Sequence, residues 1–308
     1  MNTENLFSSS RHVTDISDCY FYHVMNLPGY GEVGGEWDLR GGEESYLGGV
    51  SFQGKRVLEL GTASGFLCRF MESKGADVIG FDLPDDRFWD IVPFAGLDLS
   101  ATKLGMRSHI ERLKNGWWFT HQLLGSRAQV VYGNIYDIPA EIGPVDIATF
   151  GSILLHLRDP FQALYSALRL TRETAIVTEI HPEQATDDPA STEPLSTESS
   201  SALGRLVTGL RRSVGFRRHF KRFGNQTETA AVAQRPAYMT FLPRGDDPGA
   251  ECTGWWSFPP EVIRRFLNVL GFEDQVVTEH FQKYQGKRVR LYTVVAKRTV
   301  GKVEPARK

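Results

Sequence analysis

The stretch RVLELGTASGFLCRFMESKGADVIGFD, from Arg56 to Asp82, decides the fold of this chain. Val57, Leu58 and Leu60 make a short apolar run suited to a buried parallel strand, and Gly61 and Gly65 bracket a turn where the next helix should begin. Phe66, Leu67, Phe70 and Met71 then recur at helical spacing, and Gly75 stops the helix. Asp77 to Phe81 reads as a second strand ending on Asp82. Together these form one βαβ unit, whose ligand belongs beyond the carboxyl ends of the strands. A dinucleotide fingerprint, G-x-G-x-x-G, would place glycines where this chain has Ala63 and Phe66, so an NAD reading loses two of its three glycines. The carboxylate of Asp82 has two acceptor oxygens, enough to take two hydroxyl donors at once.

The chain has 308 residues, of which 41% are hydrophobic, enough for one large domain or a domain with a sizeable insertion. A formal net charge of −2 gives no global basicity that would point to nucleic acid or an anionic membrane, and leaves partners to be argued from local patches. Cys19, Cys68 and Cys252 are scattered and odd in number, which suggests neither a disulfide framework nor a zinc site, so no metal is expected. The N-terminus lacks a basic region followed by an apolar core, and no run of about 18 apolar residues occurs. A cytoplasmic location is the default expectation, with no transmembrane segment.

Beyond Asp82 the alternation continues. An aromatic segment (Phe88, Trp89) leads to a helical stretch around Leu104 to Leu113 and then to Gly116-Trp117-Trp118-Phe119. Gln129 to Tyr132 reads as a third strand, Val145 to Phe150 as a fourth, and Thr174 to Glu179 as a fifth, with an amphipathic helix from Phe161 to Leu170 between the last two. A helix from Pro259 to Leu270, begun by proline and closed by Gly271, precedes two final strands, Asp274 to Glu279 and Arg288 to Ala296. The Ser-, Thr-, Glu- and Pro-rich run from Pro182 to Ser201 has too little apolar content to fold alone, and a basic, aromatic stretch follows from Arg205 to Phe223. The organisation expected is an N-terminal arm or lid over 1–50, a core over 51–182 and 255–300, an insertion over 183–254 and a tail over 301–308.

Glu59, Gly61 and Gly65, as E-x-G-x-x-x-G, followed by the acidic Asp82, resemble the first two motifs of class I S-adenosyl-L-methionine-dependent methyltransferases. The resemblance implies a Rossmann-like α/β fold with a seven-stranded sheet, six strands parallel and the last antiparallel, and S-adenosyl-L-methionine as cosubstrate. It implies that the backbone of Gly61, Thr62, Ala63, Ser64 and Gly65 cradles the amino-acid part of the donor. Glu59 then supports the loop or the ammonium, and Asp82, with Leu83 beside it, takes the ribose hydroxyls. Asn134 with the Ile135 backbone is the candidate for the adenine contact, and Asp137 the runner-up. The loop from Gly151 to Pro160 would face the transferred methyl. Three further segments, Glu36 to Arg40, Gly151 to Pro160 and Gly254 to Pro260, are similar to the methyltransferase group that includes the tRNA wobble-uridine carboxymethyltransferases. That likeness covers roughly Glu36 to Phe272 and excludes the insertion, and the arm here is shorter than in those tRNA enzymes.

Methyl transfer from a sulfonium is an in-line displacement, so the protein mainly aligns a nucleophile and removes its proton. His156 after the fourth strand is the first base candidate, with loop capping or packing beneath the donor as the other reading, and His181 after the fifth strand is the second. Trp37, Trp117, Trp118, Trp255 and Trp256 either line a cavity and stack on a planar substrate or pack the core. Arg40 either pairs with the donor carboxylate or forms a surface salt bridge. The basic insertion is open to three readings: phosphate binding, an anionic membrane surface, or a lid. The expected activity is transfer of a methyl group to oxygen or nitrogen of a small-molecule acceptor in a metabolic or biosynthetic pathway. The alternatives are a tRNA wobble-uridine modifying transferase and a non-catalytic donor-binding protein of the same fold.

Overall fold

A computed structural model describes residues 6–182, 236–242 and 254–301 of the chain. The chain enters through a small antiparallel pair, β1 (Met25–Leu27) and β2 (Gly31–Val33), followed by β3 (Trp37–Asp38) and the four-residue helix α1 (Glu43–Tyr46). The core then runs β4 (Arg56–Leu60), α2 (Phe66–Ser73), β5 (Asp77–Asp82), α3 (Leu99–Leu123), β6 (Gln129–Tyr132), β7 (Val145–Gly151), α4 (Pro160–Leu168) and β8 (Thr171–Ile180). A short pair, β9 (Thr240–Phe241) with β10 (Trp256–Ser257), leads into α5 (Pro260–Val269), β11 (Asp274–Tyr284) and β12 (Lys287–Lys297).

One sheet of eight strands in the order β3-β11-β12-β8-β7-β4-β5-β6 organises the molecule. β4 lies at its centre, parallel to β5 and β7, with Leu58 opposite both Ile79 and Ala148. Val57, Leu58 and Leu60 are wholly buried there, as a strand covered on both faces requires. β12 runs antiparallel to β8 and β11, and the Gln285-Gly286 loop between β11 and β12 has positive φ at both residues, the backbone of a tight hairpin. Six parallel strands and a reversed last strand make this the Rossmann-like methyltransferase sheet that the opening motif implied. The eighth strand, β3, is an addition: Trp37 and Asp38 pair with Tyr284 and Lys283 at the far edge.

Three elements run well beyond the bounds expected from sequence. The helix expected around Leu104 to Leu113 is a 25-residue helix that also contains Gly116 to Phe119. Asp98 caps it, accepting from the backbone N–H groups of Ser100 and Ala101. The fifth core strand begins at Thr171 and ends at Ile180, and β11 runs on to Tyr284 because its last turn of pairing is with β3 as well as β12.

The N-terminal arm lies on α3 and on the turn after β4. Cys19, Phe21, Met25, Leu27 and Phe119 form a small apolar cluster of their own. The Tyr20 backbone N–H donates to the Arg112 carbonyl at 2.8 Å, and Arg112 returns a bond from its guanidinium to the Cys19 carbonyl at 3.1 Å. Gly116 permits this approach, since a Cβ there would lie 2.5 Å from the Tyr20 carbonyl oxygen. Cys19 and Cys68 are buried free thiols. Among the described residues no helix is long and apolar enough to cross a membrane. The basic stretch from Arg205 to Phe223 and Cys252 lie outside the described residues.

Candidate functional site

Two cavities open beside the turn that follows β4, at the carboxyl ends of the central strands, and Ala63 lines both. The first is bounded by Glu59, Gly61, Thr149, Gly151, Ser152 and Thr178 from the sheet, and by Tyr22, His23, Trp37 and Tyr46 from the covering segments. The second is bounded by Thr62, Asp82, Leu83, Trp89, Lys114, Trp117 and Tyr132. Gly65 ends the turn in the left-handed conformation (φ +83°), and a Cβ there would meet the Trp117 ring at 2.9 Å. Ala63 and Ser152 also have positive φ without being glycine, and Gln285 in the distant hairpin is the third such residue among those described. Strained backbone of this kind is held in place where surrounding structure over-determines it, and here it sits on both sides of one cavity.

Asp82 closes β5 and organises the turn. Its Oδ2 accepts from the Thr62 hydroxyl and the Ala63 backbone N–H, both at 3.2 Å, and its Oδ1 accepts from the Leu83 N–H at 2.7 Å. Burial raises its pKa, while those N–H groups and the charge of Lys114 pull it back. Lys114 is itself 4% exposed; its ammonium bonds Asp85 at 2.7 Å and lies 4.1 Å from the centre of the Tyr132 ring. Asp85 in turn is paired with Arg11 of the arm at 2.7 Å.

Glu59 is buried next to Cys68, whose thiol donates to it, and burial pushes its pKa up to about 8. Ser64 is fully buried, its hydroxyl accepting from the Tyr22 backbone N–H at 3.1 Å, which fastens the arm over the turn. Thr120 of α3 donates to the Ser64 carbonyl at 3.2 Å. Polar atoms without a hydrogen-bond partner remain buried around the cavities: His23 Nδ1 and Thr149 Oγ1 on residues of the first, Trp117 Nε1 and Tyr132 Oη on residues of the second. Such atoms cost about 1–3 kcal/mol each when left unpaired, so a ligand carrying complementary groups is favoured there.

Glu59, Gly61, Thr62, Ala63, Asp82, Leu83, Gly151, Trp37 and Trp117 therefore come together around the two cavities, with Ser64 and Gly65 completing the turn. Several other sequence candidates stand apart. Asn134 is exposed and its side chain caps its own turn, accepting from the Tyr136 N–H at 3.1 Å, while Ile135 is buried. Arg40 forms a surface salt bridge. Its guanidinium bonds Asp38 and Glu32, both at 2.8 Å, and Asn26 at 3.2 Å.

His156 sits in the single 3-10 turn Leu154–His156 after β7, and His181 lies 3.7 Å from Glu279 and edge-on to Tyr292; neither is among the residues lining the cavities. Glu179 holds the turn that carries His156, its buried Oε1 accepting from the Leu154 N–H at 2.9 Å, and burial raises its pKa to about 8. Trp118 is core, packed edge-on against Trp117. Trp255 and Trp256 pack around Phe241 beside the same turn, donating from their indoles to the carbonyls of Asp90 at 3.2 Å and Arg158 at 3.3 Å.

Sequence reading missed His23, Tyr22, Tyr46 and Lys114. Lys114 left a signal: it shares a helix face with Ile110 and Trp117, four and three residues away, where a charged side chain is out of place unless a partner meets it. His23 left none, because its parallel bridge to Trp37 and the neighbouring bond from the Tyr22 N–H to Ser64 bring it to the site from outside the motif. Among the described residues no group of three or more His, Cys, Asp or Glu side chains is placed to hold a metal ion.

No known protein-family profile matches the chain, and no curated protein sequence matches it. Among solved structures it is similar to magnesium protoporphyrin IX methyltransferase from Synechocystis PCC 6803 with bound SAH, at 12% identity over 80% of this chain and 76% of that one, with a TM-score of 0.43. It is similar as well to 1,6-didemethyltoxoflavin-N1-methyltransferase from Burkholderia thailandensis, at 11% identity over 84% of this chain and 77% of that one (TM-score 0.44). A third is human N-acetylserotonin methyltransferase in complex with SAM, at 14% identity over 85% of this chain and 53% of that one (TM-score 0.43).

Proposed function

We propose that the chain is an S-adenosyl-L-methionine-dependent methyltransferase acting at oxygen or nitrogen of a small-molecule acceptor. The observation that carries this reading is the pairing of a strained glycine turn after the central strand with a carboxylate, Asp82, at the end of the next one, both bordering the same cavity. The donor set fits the group. Asp82 has two oxygens for ribose hydroxyls, Trp89, Trp117 and Tyr132 offer ring faces and polar edges to a purine nucleoside, and Glu59 offers an acceptor to an ammonium. The donor when bound supplies an electrophilic methyl on sulfur. The protein's part is to hold it at the Gly61 to Gly65 turn, exclude water, and present the acceptor from the side of the Gly151 to His156 loop.

With Tyr22 and His23 against the turn the cavities are narrow, so a nucleoside donor enters as the arm draws back and is covered when it returns. His156 remains the candidate base, carried on a turn that Glu179 fixes. His181 is the second candidate. The test is release of S-adenosylhomocysteine when the protein is incubated with donor and panels of phenols, carboxylic acids and amines. His156→Ala should lower turnover and leave donor affinity unchanged; full turnover in that variant removes His156 from the role.

A tRNA acceptor is the second reading, favoured by the arginines and aromatics interleaved between Arg205 and Phe223. It predicts tRNA binding that weakens steeply with salt and is lost when those arginines are neutralised.

A further inference from the structure

The first cavity has a wall that the opening motif does not supply. His23 reaches it from the arm, 8% exposed, its ring stacked on Phe66 with centroids 5.4 Å apart and planes 28° from parallel. Burial drives its pKa down to about 3, so the ring is neutral and carries one N–H and one lone pair. Its Nδ1 is buried and has no hydrogen-bond partner. Glu59 and Thr149 line the same cavity, the latter with its hydroxyl oxygen also unpartnered. An imidazole, a carboxyl group and a hydroxyl lining one cavity complement an α-amino acid: its carboxylate can accept from the imidazole in the Nδ1–H tautomer, and its ammonium can donate to Glu59 and Thr149.

We propose that His23 receives the α-carboxylate of the donor whose ammonium the family resemblance gives to Glu59. The inference rests on the methyl-donor reading above and assigns the amino-acid end of that donor to the first cavity, leaving the nucleoside to the second. Two arginines compete for the carboxylate, and neither lines either cavity. Arg40 is committed to Asp38 and Glu32, and Arg69, though buried with unpartnered nitrogens, lies over the Trp117 ring at 4.7 Å and lines neither cavity. Because His23 belongs to the arm, this contact also couples arm closure to the presence of the amino-acid end.

Titration calorimetry on the full chain separates the two ends with two probes, S-adenosylhomocysteine and 5′-methylthioadenosine, which lacks the amino acid. His23→Phe keeps a ring on Phe66 and removes the N–H. It should weaken S-adenosylhomocysteine about tenfold or more and leave 5′-methylthioadenosine unchanged, the usual size for a hydrogen bond to a charged group. His23→Gln, which keeps a donor, should recover most of the loss. Nitrogen-15 signals of the His23 ring in the unaltered protein should shift with S-adenosylhomocysteine and not with 5′-methylthioadenosine, a readout that does not depend on any variant folding. Equal loss for both probes, no loss for either, or no differential ring shift overturns the assignment of His23 while leaving the donor reading standing. Failure of the unaltered protein to bind either probe overturns both.

Discussion

The two walls of the site are built differently. The wall formed by the turn after β4 and the end of β5 is contiguous in sequence, and its polar groups hold one another. Asp82 takes bonds from Thr62, Ala63 and Leu83, and Cys68 donates to Glu59. The opposite wall is assembled from the arm, α1, β7 and β8, and its fastenings span long stretches of chain. Tyr22 bonds Ser64, Glu36 accepts from both Tyr20 and Tyr284, and Thr178 donates to the Tyr46 carbonyl at 2.6 Å. A preformed wall beneath a separately fastened cover agrees with the proposed transferase, whose donor must enter and leave around each transfer.

Breaking the contiguous wall should have the largest effect. Asp82→Ala removes the proposed ribose acceptors and the partner of three loop donors, and S-adenosyl-L-methionine affinity should fall by about 3 kcal/mol, roughly a hundredfold. Calorimetry checks this, and unchanged affinity would mean that the ribose lies elsewhere. Thr178→Val tests the cover. The Thr178 hydroxyl meets both the Tyr46 carbonyl and the Thr293 hydroxyl, which lies 2.8 Å away and accepts or donates in a chain reaching His280. Losing it should cost about 1–3 kcal/mol of stability in denaturant melts, with a smaller change in donor affinity than Asp82→Ala produces.

The smallest effect is one of pH. Burial holds Glu59 and Glu179 near 8 against an ordinary 4.5. Between those values the folded chain keeps protons that the unfolded chain has released, so stability falls as pH rises through that window. Buried His23 and His280, lowered from 6.5 to about 3 and about 4, act in the opposite sense below 6.5 and leave the fall clearest between 6.5 and 8. Glu179→Gln removes one of the two carboxyls, so its melting temperature should fall less over that range than that of the unaltered protein. Equal slopes would show that Glu179 is not a buried protonated acid.

How much of this was legible follows the same division. The βαβ unit, the turn and Asp82 were readable because strand, turn and helix signals lie within Arg56 to Asp82 and act locally. The remaining core strands followed from alternation, and the reversed last strand from the family resemblance. β3 was not readable, since two residues, Trp37 and Asp38, become a strand only by pairing with Tyr284 and Lys283 at the opposite end of the chain. The full length of α3 was hidden by its polar first turns and by Gly105 and Gly116. Arg40 had visible competitors in Asp38 and Glu32, and local charge pairing claimed it. Asn134 answered to its own turn for the same reason. His23 was illegible because its environment exists only once the arm has folded onto Ser64 and Phe66.

The central claim is that the turn from Gly61 to Gly65, with Asp82, binds a methyl donor. Calorimetric titration of the protein with S-adenosyl-L-methionine and, separately, with NAD tests it most directly. The account predicts saturable one-to-one binding of S-adenosyl-L-methionine and none of NAD, and tight NAD binding with no heat from S-adenosyl-L-methionine would contradict it.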